Sequence, residues 1–122
     1  MLIRECCLLP DLPGPPENVK ATDVSKRTIS LTWEPPLSDG GLAIVGYIVE
    51  QRQTSSSRWV TLTKAPVAEL NYTVSDVVEN QEYEFRISAK NGEGVGPPSA
   101  TCGPIKAKDP YGQLSAESLY DQ

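Results

Sequence analysis

The chain has 122 residues, a formal net charge of −5 and a pI near 4.7; such acidity without a basic block excludes phosphate backbones and anionic lipid surfaces as natural partners. There is no histidine, which removes the usual general base and the commonest transition-metal ligand. With 39% hydrophobic and 22% charged residues, and 11 prolines beside 9 glycines, the composition is that of one folded domain with many turns.

Residues 1–12 hold a short apolar run that Arg4 and Glu5 interrupt. It is too short for a signal-peptide core and has no small-residue cleavage site. The segment reads as a flexible linker, the end of a preceding domain or an artificial extension. Cys6, Cys7 and Cys102 form an odd set with an adjacent pair, a poor disulfide framework that suits reduced thiols in the cytoplasm. No stretch approaches the ~20 apolar residues of a membrane span.

An early strand is expected over Val19–Val24. Thr28 to Glu34 then alternates cleanly, with Ile29, Leu31 and Trp33 on one face and Thr28, Ser30, Thr32 and Glu34 on the other. That period is a half-buried strand, stopped by Pro35 and Pro36, which cannot donate to a ladder. Ser38 to Gly41 is a turn. Val45 to Arg52 follows, with Tyr47 and Val49 pointing one way and Ile48 and Glu50 the other. Thr54 to Ser57 reads as a polar loop, Arg58 to Thr63 as a short strand, and Asn71 to Ser75 as another that sets Tyr72 beside Val74. The strongest alternation runs from Glu82 to Lys90, with Tyr83, Phe85, Ile87 and Ala89 inward. Asn91 to Pro98 is a long turn signal, and a last strand falls within Ser99–Lys108.

Seven short strands without a helical period predict an all-β, seven-stranded antiparallel sandwich of two sheets. The expected structural core is Leu31, Trp33, Tyr47, Val49, Tyr72, Val74, Tyr83, Phe85 and Ile87. Residues 111–122 carry weak patterning and read as a flexible tail.

From Pro13 to about Pro110 the chain resembles a fibronectin type III domain. The resemblance rests on Pro13–Pro16, Trp33 before Pro35-Pro36, the run Gly46 to Glu50, Trp59, Tyr72 to Val74 with Val77, the run Tyr83 to Asn91, and Gly92, Gly94, Gly96 and Pro98-Ser99. Tyr83 fits a tyrosine corner, whose hydroxyl bonds back to upstream backbone. Phe85 stands where an immunoglobulin domain would place a cysteine, and the large Trp33 is on the second strand rather than the third. The motifs at 13–26, 33–41, 46–50, 94–99 and 106–110 are most similar to the modules of giant sarcomeric proteins, in the titin, twitchin and myosin-binding protein C families.

No nucleophile–base pair is visible, and Glu82 and Glu84 lie on an outward face. Gly92 to Gly96 joins strand to strand, whereas a phosphate cradle needs a helix after the loop. Asp23, Asp39 and Asp76 are scattered. No metal, cofactor or enzyme activity is therefore expected. Asn71-Tyr72-Thr73 is a glycosylation sequon, relevant only to a secreted chain; no Arg-Gly-Asp triplet is present. Trp59 and Arg86 are expected on one solvated sheet face, where they could stack. The loops Pro36, Ser38, Asp39, Gly40, Gly41 and Asn91, Gly92, Glu93 are expected at one pole as a candidate partner surface; the alternative is turn chemistry facing a neighbouring domain.

The resemblance implies a non-catalytic module that acts as spacer, scaffold and carrier of mechanical load in the A-band of the striated-muscle sarcomere. Its implied partners are neighbouring immunoglobulin and fibronectin domains of the same chain, with myosin or another thick-filament protein as a further candidate. An isolated copy is expected to be monomeric. The rival class is an extracellular adhesion or receptor domain that binds protein through its loops.

Overall fold

The computed structural model describes residues 10–109. The expectations for Cys6, Cys7, the chain before Pro10 and the tail from residue 110 lie outside them. Eight strand segments are present: β1 (Glu17–Val24), β2 (Ile29–Glu34), β3 (Gly46–Gln53), β4 (Val60–Thr61), β5 (Asn71–Val74), β6 (Glu82–Asn91), β7 (Gly94–Val95) and β8 (Cys102–Lys106). All pairings are antiparallel. One sheet has the order β1-β2-β5; the other has β4-β3-β6, with β7 and β8 both on the far edge of β6.

The alternation in β2 and β6 becomes the core because one face of each sheet is turned inward. Ile29, Leu31 and Trp33 from β2 meet Tyr47 and Val49 from β3 and Tyr83, Phe85, Ile87 and Ala89 from β6; Val74, Val77 and Ala107 close the ends. Tyr72, expected in the core, is half-buried and packs against it from β5. Trp33 meets Tyr47 edge-on, with ring centroids 5.6 Å apart. Among the described residues the Trp33 indole N–H finds no acceptor, a cost of about 1–3 kcal/mol. Burying a ring of ~150–250 Å² contributes about 4–6 kcal/mol, so burial wins. The Tyr83 hydroxyl accepts the Val78 N–H at 2.8 Å, the tyrosine-corner bond that ties β6 to the loop arriving from β5.

Two edges differ from the sequence expectation. The strand expected over Arg58–Thr63 shrinks to Val60–Thr61, paired with Gln51 and Glu50. The Leu62 N–H still donates to Val49 O; the chain then bulges away and returns at Val67, which exchanges two backbone hydrogen bonds with Tyr47 (2.8 and 2.9 Å). Pro66, just before that return, has no N–H to give to a ladder. The long turn over Asn91–Pro98 contains β7, which pairs with Lys90 and Asn91. Pro97 and Pro98 then break the edge before β8 resumes it; between the two segments Ser99 serves Ile87, giving its N–H to Ile87 O and accepting the Ile87 N–H on Oγ. The seventh strand of the sandwich is thus one strand in two pieces.

Candidate interaction surface

β6 sets the geometry of the molecule's ends. It runs ten residues, about 30 Å, from Glu82, next to Gln81 at one pole, to Asn91 at the other. At the Gln81 pole the departing chain is held by Ala107 N–H to Gln81 O and by Asn80 N–H to Ala107 O. At the Asn91 pole the arriving chain is held before its first strand begins. There the Asp11 N–H donates to Gly40 O at 2.8 Å and the Gly14 N–H to Ser38 O at 2.9 Å.

The loops 36–41 and 91–93 come together at this second pole through Asn91. Its amide donates to Asp11 O and Asp39 O, both at 2.7 Å, and its Oδ1 accepts the N–H groups of Glu93 (2.8 Å) and Gly94 (3.2 Å). Asn91 is 1% exposed, which corrects its assignment to an outward partner surface. An Asn at the end of a strand reads as a solvated turn residue; here all its hydrogen-bonding capacity goes to backbone from three segments. Ser38, Asp39, Gly41, Gly92 and Glu93 are exposed, and Pro36 and Gly40 are half-buried. At this pole glycine is obligatory at positions 40 and 96. Gly40 has φ +75°, and a Cβ there would strike Asp11 O; a Cβ on Gly96 would strike Pro13 O.

The sequence does not point to Asp11 and Leu12 as part of the domain. Asp11 is held through its backbone N–H and carbonyl, and such bonds leave no side-chain period to read. Asp11, within the segment read as a linker, is thus hydrogen-bonded to Gly40 and Asn91.

The solvent face of the five-stranded sheet carries a separate cluster. β3 and β6 place Glu50 opposite Arg86 and Arg52 opposite Glu84. Both pairs are closed, Arg86 Nε to Glu50 Oε1 at 2.7 Å and Arg52 to Glu84. The Arg86 guanidinium lies 4.3 Å from the Trp59 ring centre and that of Arg52 lies 5.5 Å away, so the stack expected from the sequence has a second arginine. The carboxylates of this face are engaged with neighbours: Glu82 accepts the Thr54 hydroxyl at 3.4 Å. Among the described residues no three His, Cys, Asp or Glu side chains gather into a group that could hold a metal. Asn71 is exposed at the start of β5. Burial raises the pKa of the half-buried Cys102 thiol, and a hydrogen bond from the Ala21 backbone partly offsets this.

Residues 14–102 match the family model of the fibronectin type III domain. The chain is 42% identical over 89 residues to titin of Drosophila melanogaster, covering 73% of this chain and 0%, to the nearest per cent, of that protein. It is 39% identical over 95 residues to human fast-type myosin-binding protein C, covering 78% of this chain and 8% of the relative. The structure of domains A168–A170 from titin matches with a TM-score of 0.77 and 39% identity, covering 81% of this chain and 33% of that one. The chain thus spans less than a tenth of the length of either curated relative. The buried strand pattern, the corner made by Tyr83 and these likenesses together place the chain in the fibronectin type III family, among domains similar to those of titin and myosin-binding protein C.

Proposed function

We propose that the chain is a non-catalytic structural module of a multi-domain muscle protein, where it acts as spacer, scaffold and carrier of load in the sarcomeric A-band. The observation that carries this reading is the placement of its ends. The chain arrives on Asn91 and leaves on Gln81, at opposite ends of β6. Modules held that way add about 30 Å each along a line rather than folding back on one another. Force entering at one end must then cross antiparallel ladders to leave at the other. Survival under load follows the unfolding rate rather than equilibrium stability. Its partners on this reading are flanking modules, with myosin or another thick-filament protein as a further ligand.

Single-molecule pulling from the two ends tests the mechanical role. One discrete event is expected, releasing about 300 Å of contour as roughly 100 residues extend. Featureless extension at low force would reject it. One observation favours the extracellular reading, namely the exposed Asn71 of the sequon. Mass spectrometry of the native protein with glycan on Asn71 would decide for that reading.

A further inference from the structure

Of the chain's four asparagines, Asn91 alone is followed by glycine. In an unfolded chain that pair is chemically labile. The Gly92 nitrogen attacks the Asn91 side-chain carbon and a new N–C bond closes a five-membered imide. The side-chain nitrogen leaves as ammonia, taking the Gly92 amide proton with it. Water then opens the ring to aspartate or isoaspartate. Glycine permits the closure because it has no Cβ to obstruct it. The balance is one water in and one ammonia out, so solvent is the sole co-reactant.

The folded molecule withholds what this reaction needs. Asn91 is 1% exposed, which keeps water away. Its amide is held flat by four hydrogen bonds, two donated to Asp11 O and Asp39 O and two accepted from the Glu93 and Gly94 N–H groups. Attack makes the side-chain carbon tetrahedral and breaks that planar set. The strap of residues 11–14, tied also by the Gly14 N–H to Ser38 O, lies over the same pole. The products do not fit the place of the reactant. A carboxylate has no donor, yet it would face two carbonyl oxygens where the amide nitrogen now lies 2.7 Å from each. Isoaspartate would add a carbon to the backbone at the residue that pairs β6 with Gly94.

We propose that Asn91-Gly92 is a masked deamidation site. While the domain is folded the pair is inert. Time spent unfolded opens it to solvent, and a deamidated chain does not rebuild the Asn91 pole. The residue that ties three segments together is thus also the one whose loss is irreversible, and the site registers accumulated time in the unfolded state. The chemistry needs only this chain and water. That stretching is what opens the site rests on the load-bearing reading above; featureless extension in the pulling experiment would remove that trigger and leave the chemistry standing.

Peptide mapping by mass spectrometry follows amide-to-acid conversion at each asparagine of the 122-residue chain, in guanidinium chloride and in buffer at one pH and temperature. In denaturant Asn91 is expected to convert well ahead of Asn18, Asn71 and Asn80. In buffer it should convert at least about a hundredfold more slowly than in denaturant, because opening follows the unfolding equilibrium. A smaller factor would overturn the mask. G92A keeps Asn91 and removes the lability; beyond its chain neighbours the added Cβ meets Leu42 Cδ1 at 3.2 Å, the end of a flexible side chain. Conversion of G92A in denaturant at the wild-type rate would refute the part assigned to Gly92.

The consequence is read on a single sample. Denaturant-treated wild type is returned to buffer and divided by anion exchange, since conversion adds a negative charge. The converted fraction should show a lowered guanidinium midpoint, or no transition at all, beside the unconverted fraction. Equal midpoints would overturn the proposal.

Discussion

Replacing Tyr83 by Phe removes one oxygen and leaves the packing intact. The ring is 2% exposed and lies against Phe85, with centroids 6.4 Å apart, and both facts persist in the variant. What disappears is the acceptor for the Val78 N–H at 2.8 Å. A net hydrogen bond contributes about 0.5–1.5 kcal/mol, and a donor orphaned in a dry site costs about 1–3 kcal/mol. The Val78 side chain is 55% exposed, so water can reach part of this corner. The expected loss therefore sits where the two ranges meet, at about 1.5 kcal/mol. For a domain of ~100 residues that is a fall in Tm of roughly 6–12 °C. Urea titration followed by tryptophan fluorescence, with thermal circular dichroism beside it, gives both numbers. The dependence on urea should be unchanged, because the same surface is exposed on unfolding. Midpoints equal to those of the wild type would refute the role assigned to the hydroxyl.

Two further outcomes can be checked on the same protein. A double-mutant cycle with W59A and R86M should return a coupling of about 0.5–1 kcal/mol; the methionine keeps the stem and removes the charge. Zero coupling would mean that the Trp59 ring only covers the sheet. The second outcome concerns pH. Burial raises the Cys102 pKa, so above the ordinary thiol value of about 8.5 the unfolded chain sheds this proton while the folded chain keeps it. This stabilisation is complete below that value and fades as pH climbs through the folded one. Unfolding free energy should thus fall between about pH 8.5 and 10, and less steeply in C102A. Tyr47, also raised by burial, adds to the fall at still higher pH in both proteins. Identical slopes in the two proteins below about pH 10 would contradict the assignment.

The β6 and β2 strands were legible because burying one face of a pleated strand writes period two into side-chain polarity. Tyr83, Phe85 and Ile87 carry that signal with no help from elsewhere in the chain. The corner was legible for a different reason, since its tyrosine sits at a fixed place relative to the strand start. The strap was not legible. Residues 11–14 are held by carbonyls and amides that every residue possesses, and the side chain that latches them is 80 residues away at Asn91. The candidate surface was half legible for the same cause. Turn residues such as Asp39, Gly40 and Gly92 announce loops, but nothing in a turn says that one buried amide ties two loops and the arriving chain together. Val77 and Ala107 fell outside the expected core because they lie in connections rather than in strands, where no alternation exists to betray them.

Both borders of the larger sheet are interrupted. Beside β3 the ladder stops after the Leu62 bond and resumes only at Val67, and beside β6 regular pairing stops after Val95 and resumes at Cys102, with the Gly96 and Ser99 N–H bonds between. The outer strand of the smaller sheet, β1, slips register twice. A row of near-identical domains on one chain is a crowd of ready-made partners for any continuous open border, and strand exchange between neighbours is the standing hazard of such arrays. Interrupted borders offer at most a few consecutive rungs to an intruder. In the series of modules proposed above, each module unravelled by a stretch would thereby be steered to rejoin its own sheets rather than those next door.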